Sequence, residues 1–193
     1  MKQGVSAVIL AAGSSNRMGN INKLLAHWQG MALVRHVAET ANKSVAAEVV
    51  VVTGHDADNV RHALDGVEVR FAHNPRFGEG MSTSLGVGIG AVGDEKTGAA
   101  ILLGDMPRLK IETLNQLLSR FIETDGQSIC APVCGGRRGN PVIWPREFFP
   151  DLQGLSGDKG ARELIVKYKN RVIEVPCDDE GVLIDVDTPE DIN

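Results

Sequence analysis

VSAVILAAGSSNRMG, residues 5–19, is the stretch from which the organisation of this chain follows. Its apolar run, interrupted only by Ser6, predicts a strand buried on both faces of a parallel sheet. Open α/β sheets bind ligands at the carboxyl ends of such strands. There the small residues Ala11, Ala12 and Gly13 let backbone N–H groups approach a polyphosphate closely, because no large side chain intervenes. We therefore predict a phosphate-binding loop directly after this strand.

Two cations, Arg17 and Lys23, accompany the loop. A guanidinium holds phosphate oxygens in pairs, whereas an ammonium on a flexible stem is a movable point charge, so the two are complementary. Gly13 and Gly19 are too far apart for a P-loop, and the dinucleotide-binding pattern Gly-x-Gly-x-x-Gly does not follow the strand. A plain strand-to-helix connector is the alternative, but a connector has no need of two cations on one turn.

Composition limits the class of protein. With 193 residues and 42% hydrophobic content, the chain is expected to form one domain over residues 1–193. A formal net charge of -5 argues against nucleic acid as a partner. The sequence shows no signal peptide and no apolar run long enough to cross a membrane, so we predict a cytoplasmic protein without a membrane partner. Cys130 and Cys134 lie in a strand-like run and are predicted to be core thiols.

Apolar strands alternate with helical patterns along the chain, which predicts βαβ units in a single-domain, doubly wound, mostly parallel α/β sheet. The predicted strands cover residues 48–53, 67–72, 99–103 and 128–133, besides the first. The predicted helices cover residues 31–43, 56–64 and 111–122, with Asp56 as an N-cap, while residues 24–28 are expected to be extended. A helix running on to Tyr168 is expected to have Asp158 as its cap.

Carboxylates at two places predict a metal site. Asp105 follows an apolar strand and precedes Met106-Pro107. It therefore lies at the carboxyl end of a strand, where open α/β sheets have their catalytic groups. Asp185 and Asp187 alternate along a short segment near the carboxyl terminus, so they share one face of it. Mg²⁺ prefers one or two carboxylates together with phosphate oxygens and water. Asp105 is therefore a candidate Mg²⁺ ligand, and Asp187, with Asp185 in reserve, could meet it across the bound ion.

The turn at residues 80–84 places small residues and hydroxyls at a helix start, where free N–H groups gather. Gly80 and Ser82 are therefore candidate contacts for an anionic ligand. The alternative, an ordinary capping turn, is compatible with that role.

Residues 10–19 with Lys23 resemble the signature of the MobA-like nucleotidyltransferases, and most of all the molybdenum cofactor cytidylyltransferase branch. The resemblance covers essentially the whole chain. It implies a Rossmann-like fold of the nucleotide-diphospho-sugar transferase type. It also implies that Leu10, Ala11, Ala12, Gly13, Arg17, Lys23, Gly80, Ser82 and Asp105 bind an NTP, with Arg17, Lys23 and Asp105 catalytic and Asp105 and Asp187 holding Mg²⁺. The guanylyltransferase branch usually carries Leu-Ala-Gly-Gly, so Ala12 favours CTP over GTP.

The same resemblance implies a phosphate-bearing acceptor such as molybdopterin, with a recipient molybdoenzyme or its chaperone as protein partner. Candidate acceptor residues are Arg137, Asn140, Lys159 and Arg162, because a phosphate monoester needs a second cationic patch. A solvated basic turn is the alternative for these residues. Three other functions stay open: a guanylyltransferase using GTP, a relative with another acceptor in a catabolic pathway, and a non-catalytic nucleotide-binding module.

Overall fold

A computed structural model of the protein describes residues 4–13, 22–158, 160–188 and 191. The strands within these ranges are β1 (Val5–Ala11), β2 (His27–Trp28), β3 (Met31–Ala32), β4 (Glu48–Thr53), β5 (Arg70–His73), β6 (Gly98–Leu103), β7 (Ile129–Cys134), β8 (Arg137–Arg138), β9 (Val142–Pro145) and β10 (Val172–Pro176). The α-helices within them are α1 (Leu33–Lys43), α2 (Ala57–Ala63), α3 (Met81–Gly90), α4 (Ile111–Glu123), α5 (Phe149–Gln153) and α6 (Arg162–Lys167). None of the described helices is long and apolar enough to span a bilayer.

One mixed, mostly parallel sheet organises the chain, in the order β10-β7-β9-β6-β1-β4-β5, with β8 paired to β7. β1 is parallel to β4 on one side and to β6 on the other, as the apolar run predicts. β9 is antiparallel to both β6 and β7, because the chain returns through the β7–β8 hairpin before it enters the sheet. The mostly parallel α/β architecture expected from the sequence is confirmed, and within the described part of this sheet β8 and β9 pair in the antiparallel direction.

The core consists of one apolar cluster on each face of the sheet. β1 contributes to both, since Ala7 and Ile9 belong to the first cluster and Val8 to the second. This alternation follows from the two-residue period of a strand. The first cluster includes the inner sides of α1 and α4, and the second includes those of α3 and α5. Hydrophobic burial on both faces therefore holds β1 in position at the point where the predicted phosphate loop begins.

Glu48 fastens the amino-terminal end of β4 to three neighbouring segments. Its carboxylate accepts hydrogen bonds from Ser6 Oγ at 2.6 Å, from Arg70 Nη2 at 3.0 Å and from the Gly93 N–H at 3.3 Å. Burial by itself raises the pKa of Glu48, but these hydrogen bonds and the charge of Arg70 outweigh it and hold the pKa below its ordinary value.

Local differences from the sequence predictions occur where side chains or turns override propensity. Residues 23–25 form a 3₁₀ turn rather than an extended piece, because the Asn22 side chain accepts a hydrogen bond from the Leu24 N–H at 3.1 Å. Asp56 is not a side-chain N-cap of α2. It lies in the left-handed region with φ of 56°, and its carboxylate accepts instead from Asn59 Nδ2 at 2.7 Å. The remaining helices and strands lie within a few residues of the predicted ranges.

Candidate active site

The carboxyl ends of β1, β4 and β6 meet at one edge of the sheet, as their parallel pairing requires. Two backbone hydrogen bonds join the loops that leave these strands: the Gly104 N–H donates to Leu10 O at 3.1 Å, and the His55 N–H donates to Ala12 O at 3.1 Å. A Cβ at residue 104 would lie 3.0 Å from Leu10 O, so glycine lets the two loops approach this closely. Asp105 is thereby placed beside the loop after β1.

A charged cluster of one lysine and three carboxylates lies at this edge. Oxygen atoms of Asp105, Asp185 and Asp187 all lie within 4.8 Å of one another. Lys23 Nζ contacts Asp105 Oδ2 at 2.6 Å and Asp187 Oδ1 at 2.8 Å. The structure thus brings together residues that are more than 160 positions apart. We call Lys23, Asp105, Asp185 and Asp187 the charged cluster.

Backbone contacts hold the carboxyl-terminal segment against Asp105. The Val186 N–H donates to Asp105 O at 2.9 Å, which brings the residues on either side of Val186 up to the cluster. Further back, the buried Asp179 carboxylate accepts from the Lys110 N–H at 3.0 Å and from the Gly181 N–H at 2.9 Å. Asp179 therefore ties the same segment to the start of α4.

Burial and charge act in opposite directions on this cluster. Burial raises the pKa of Asp105 above its usual value even though the ion pair with Lys23 lowers it, and Asp185 raises it further. Burial also lowers the pKa of Lys23, but Asp105 and Asp187 together outweigh that effect and leave the pKa raised. Lys23 is consequently charged, and the cluster holds more negative than positive charge.

The charged cluster fits a divalent cation. Asp105 Oδ1 is buried and has no hydrogen-bond partner among the described residues, which is costly unless another group satisfies it. The neighbouring oxygens of Asp185 and Asp187 are hard donors of the kind that Mg²⁺ and Mn²⁺ prefer. A divalent cation bound among these three carboxylates would satisfy the buried oxygen of Asp105.

The predicted nucleotide turn lies at the amino terminus of α3. Gly80 has φ of 112°, a region that favours glycine, and the Met81 N–H donates to Asp158 Oδ1 at 3.2 Å. Asp158 therefore accepts a hydrogen bond from the first turn of α3 and does not cap α6, the helix before Tyr168, so the sequence prediction was wrong on this point. Ala161 precedes α6, which has no side-chain cap. Ser82 is 2% exposed, and its hydroxyl has no hydrogen-bond partner among the described residues.

A cavity of about 530 Å³ opens beside this turn. Ser82, Thr83 and Gly157 are among its lining residues. The fully buried side chain of Asn74 holds the loop between β5 and α3 in place. It donates to Thr83 Oγ1 at 2.9 Å and to Ser84 Oγ at 3.0 Å, and it accepts from the Arg76 N–H at 2.9 Å. The turn is thus built by a buried amide that sequence reasoning did not single out.

The predicted acceptor residues are divided between two places. Arg137 is exposed on β8, and the Asn140 N–H donates to Val182 O at 2.8 Å, which joins that hairpin to the segment before Asp185. Arg162 instead begins α6, which packs through Leu164 into the cluster on the other face of the sheet. Lys159 and the predicted catalytic residue Arg17 lie outside the described residues.

Leu10, Ala11, Ala12 and Gly13, which are predicted to contact phosphate, lie at the end of β1. Leu10 and Ala11 are in the strand, and Ala12 is 3% exposed and packs in the second apolar cluster. Gly13 is exposed, and a Cβ there would meet no described atom within 4 Å.

Comparison with known proteins decides the family. Residues 7–172 match the MobA-like NTP transferase domain. The chain belongs to that family. Its members are nucleotidyltransferases, which bind nucleoside triphosphates and phosphate-bearing acceptors.

Three curated relatives of this MobA-like nucleotidyltransferase match it over nearly its full length. Nicotine blue oxidoreductase of Paenarthrobacter nicotinovorans is 32% identical, over 96% of this chain and 93% of its own. Purine catabolism protein PucB of Bacillus subtilis is 32% identical, over 95% and 92%. Molybdenum cofactor cytidylyltransferase of Escherichia coli is 24% identical, over 97% and 93%.

Solved structures show the same fold. A nucleotidyl transferase from Methanothermobacter thermautotroptrophicus superposes with a TM-score of 0.85 at 25% identity, over 98% of this chain and 94% of its own. Rv0371C of Mycobacterium tuberculosis H37Rv, in a complex with manganese, gives a TM-score of 0.77 at 27% identity, over 98% and 96%. Nucleotidyltransferases of this fold use divalent metals, in agreement with the carboxylates of the charged cluster.

Proposed function

We propose that this MobA-like nucleotidyltransferase transfers CMP from CTP to the phosphate of molybdenum-loaded molybdopterin and releases pyrophosphate. The observation that carries the proposal is the charged cluster at the carboxyl edge of β1 and β6, where Lys23 and three carboxylates converge. An acceptor phosphate oxygen attacks the α-phosphorus of the NTP, and the bond from that phosphorus to the β-phosphate oxygen breaks. All reacting groups are negative, so catalysis consists mainly of positioning and charge neutralisation.

Each residue of the cluster has a role in this scheme. Asp105 and Asp187 would hold the divalent cation, and Asp185 would complete the set of oxygen donors. Bound Mg²⁺ would supply neutralisation of phosphate charge and polarisation of a phosphate oxygen. Lys23 balances the carboxylates in the nucleotide-free protein and, through its flexible stem, moves its charge onto the departing pyrophosphate. Arg17 is assigned to the same pyrophosphate.

The preference for CTP is supported by two observations. Ala12 stands where the guanylyltransferase branch usually has glycine, and the cytidylyltransferase of Escherichia coli aligns over 97% of this chain. The relationship to that cytidylyltransferase also supports molybdopterin as the acceptor and a molybdoenzyme or its chaperone as the protein that receives it. The relationship to PucB, a purine catabolism protein by name, supports the alternative of another acceptor in a catabolic pathway.

Pyrophosphate release tests the proposal directly. The wild-type enzyme is incubated with each of four NTPs and Mg²⁺, with and without molybdenum-loaded molybdopterin, and with EDTA as the metal-free control. We expect release only with CTP, molybdopterin and metal together, and loss of turnover in Asp105→Asn with the fold retained. A preference for GTP would identify a guanylyltransferase, and turnover only with a different acceptor would identify the catabolic alternative. NTP binding without turnover would identify a binding module.

A second candidate function comes from the relative named nicotine blue oxidoreductase, which is 32% identical over nearly the whole chain. The activity that this name states would be the oxidation or reduction of nicotine blue, with no transfer of a phosphate group. The absorbance of nicotine blue, followed with and without NADH or NADPH as an added reductant, distinguishes this activity from nucleotidyl transfer. Turnover of nicotine blue with no pyrophosphate release in the NTP panel would replace the first proposal by the second.

A further inference from the structure

Two of the three cysteines of the chain lie at the carboxyl ends of neighbouring strands, Cys134 as the last residue of β7 and Cys177 directly after β10. β10 runs parallel to β7 with Pro176 paired to Val133, and the Cys177 N–H continues the ladder by donating to Val133 O at 2.9 Å. Cys177 is therefore level with Cys134, the last residue of β7. Neighbouring strands lie about 4.8 Å apart, which is inside the range of about 4.4–6.8 Å between Cα atoms that a disulfide requires.

Both thiols point to the same face of the sheet. Cys134 belongs to the first apolar cluster, and Cys177 packs against that cluster while remaining partly exposed. Burial, followed by the proximity of Cys177 and of nearby acidic residues, raises the pKa of Cys134.

Cys130 supplies an internal comparison. It lies on the same strand as Cys134 and in the same cluster, but its register partner on β10 is Ile173. It is fully buried, and burial raises its pKa to about 11. Cys130 therefore lacks both the paired thiol and the access to solvent that Cys177 has.

The pair lies where two segments leave the sheet toward the candidate active site. Cys134 is followed by the hairpin that leads to Asn140, and Cys177 is followed by the segment that leads to Asp185 and Asp187. These two segments already touch, because the Asn140 N–H donates to Val182 O at 2.8 Å. A covalent bond between the cysteines would join both segments at their bases.

We propose that Cys134 and Cys177 are a redox-responsive pair that hydrogen peroxide converts to an intramolecular disulfide and that thiols reopen. The more exposed Cys177 sulfur attacks one peroxide oxygen, becomes a sulfenic acid and releases one water. The Cys134 sulfur then displaces the sulfenic oxygen, which leaves as a second water, and the S–S bond forms. The two thiols lose two electrons, and one peroxide is reduced to two waters.

Thiol counting and peptide mapping test this pair without reference to the reaction that the protein catalyses. The reduced protein is treated with hydrogen peroxide, denatured, alkylated with iodoacetamide and analysed by intact mass and by non-reducing peptide mass spectrometry. We expect two of three thiols to escape alkylation, a peptide linked through Cys134 and Cys177, and full recovery of three alkylations after dithiothreitol. Cys134→Ser and Cys177→Ser should each abolish the link, whereas Cys130→Ser, the matched control, should form it within twofold of the wild-type rate.

Several outcomes would overturn the proposal. They are sulfinic or sulfonic acid on Cys177 with no linked peptide, links between two chains on a non-reducing gel, or links that involve Cys130. Retention of all three thiols after peroxide treatment would do the same. Because the linked peptide is identified in the wild-type protein, the test does not depend on the folding of any variant.

Discussion

The Asp185→Asn variant separates two effects of the Asp185 charge. One is its repulsion of the other carboxylates of the charged cluster, and the other is its contribution to metal binding. Asp185 is exposed, its oxygen lies within 4.8 Å of those of Asp105 and Asp187, and the described contacts give it no cation within 4.0 Å. Two like charges at this distance repel by ~0.9 kcal/mol even at the dielectric constant of water, and salt weakens this. Removing the charge should therefore stabilise the metal-free protein by about 1 kcal/mol, which raises Tm by roughly 2–4 °C for a chain of this size.

The same substitution should weaken the response to metal. A ligand at ten times its Kd stabilises the folded state by about 1.4 kcal/mol, and the variant loses one of the three carboxylates that would bind it. We expect the Mg²⁺- or Mn²⁺-induced rise in Tm to fall by more than half. Asp187→Asn should lose metal response without the gain in metal-free stability, because Asp187 pairs with Lys23 at 2.8 Å.

Thermal unfolding followed by circular dichroism in EDTA, MgCl₂ and MnCl₂ measures both effects. Asp178→Asn is the control, since Asp178 is an exposed carboxylate of the same segment that lies outside the charged cluster. The reasoning is refuted if Asp185→Asn melts below the wild type in EDTA, or if it keeps the full metal-induced shift.

Three further predictions concern the scaffold, each measured by urea denaturation. Gly88→Ala should lower the free energy of unfolding by about 1–3 kcal/mol, because the added Cβ would lie 2.5 Å from Val8 Cγ1. Gly86→Ala is the matched control: its Cβ would have its nearest neighbour at 4.0 Å, so stability should be unchanged or increased. Glu48→Gln should lower the free energy of unfolding by about 1 kcal/mol at pH 7. Because folding lowers the pKa of Glu48, this difference in stability from the wild type should vanish as the pH falls below 4.5 and through the lower pKa of the folded state. Asn74→Ala should lower the free energy of unfolding by about 3 kcal/mol, because it removes three hydrogen bonds of a fully buried side chain. Equal stability for this variant would contradict the role assigned to the amide.

Most of the secondary structure could be predicted because its signal is local. The apolar runs of β1, β4 and β6 are contiguous, and the inward faces of α1 and α4 repeat at helical spacing. The family, and with it the expectation of a phosphate loop and a carboxylate pair, also follows from short motifs in the sequence. Such motifs name candidate residues but contain no distances.

Only the tertiary structure decided which of these residues meet. Asp105 comes within reach of Asp185 and Asp187, Asp158 contacts α3 instead of the helix that follows it, and Cys177 is level with Cys134. Each of these arrangements brings together residues that are dozens of positions apart in the sequence. Such contacts depend on strand order and register, which burial over the whole sheet determines and which no local pattern specifies.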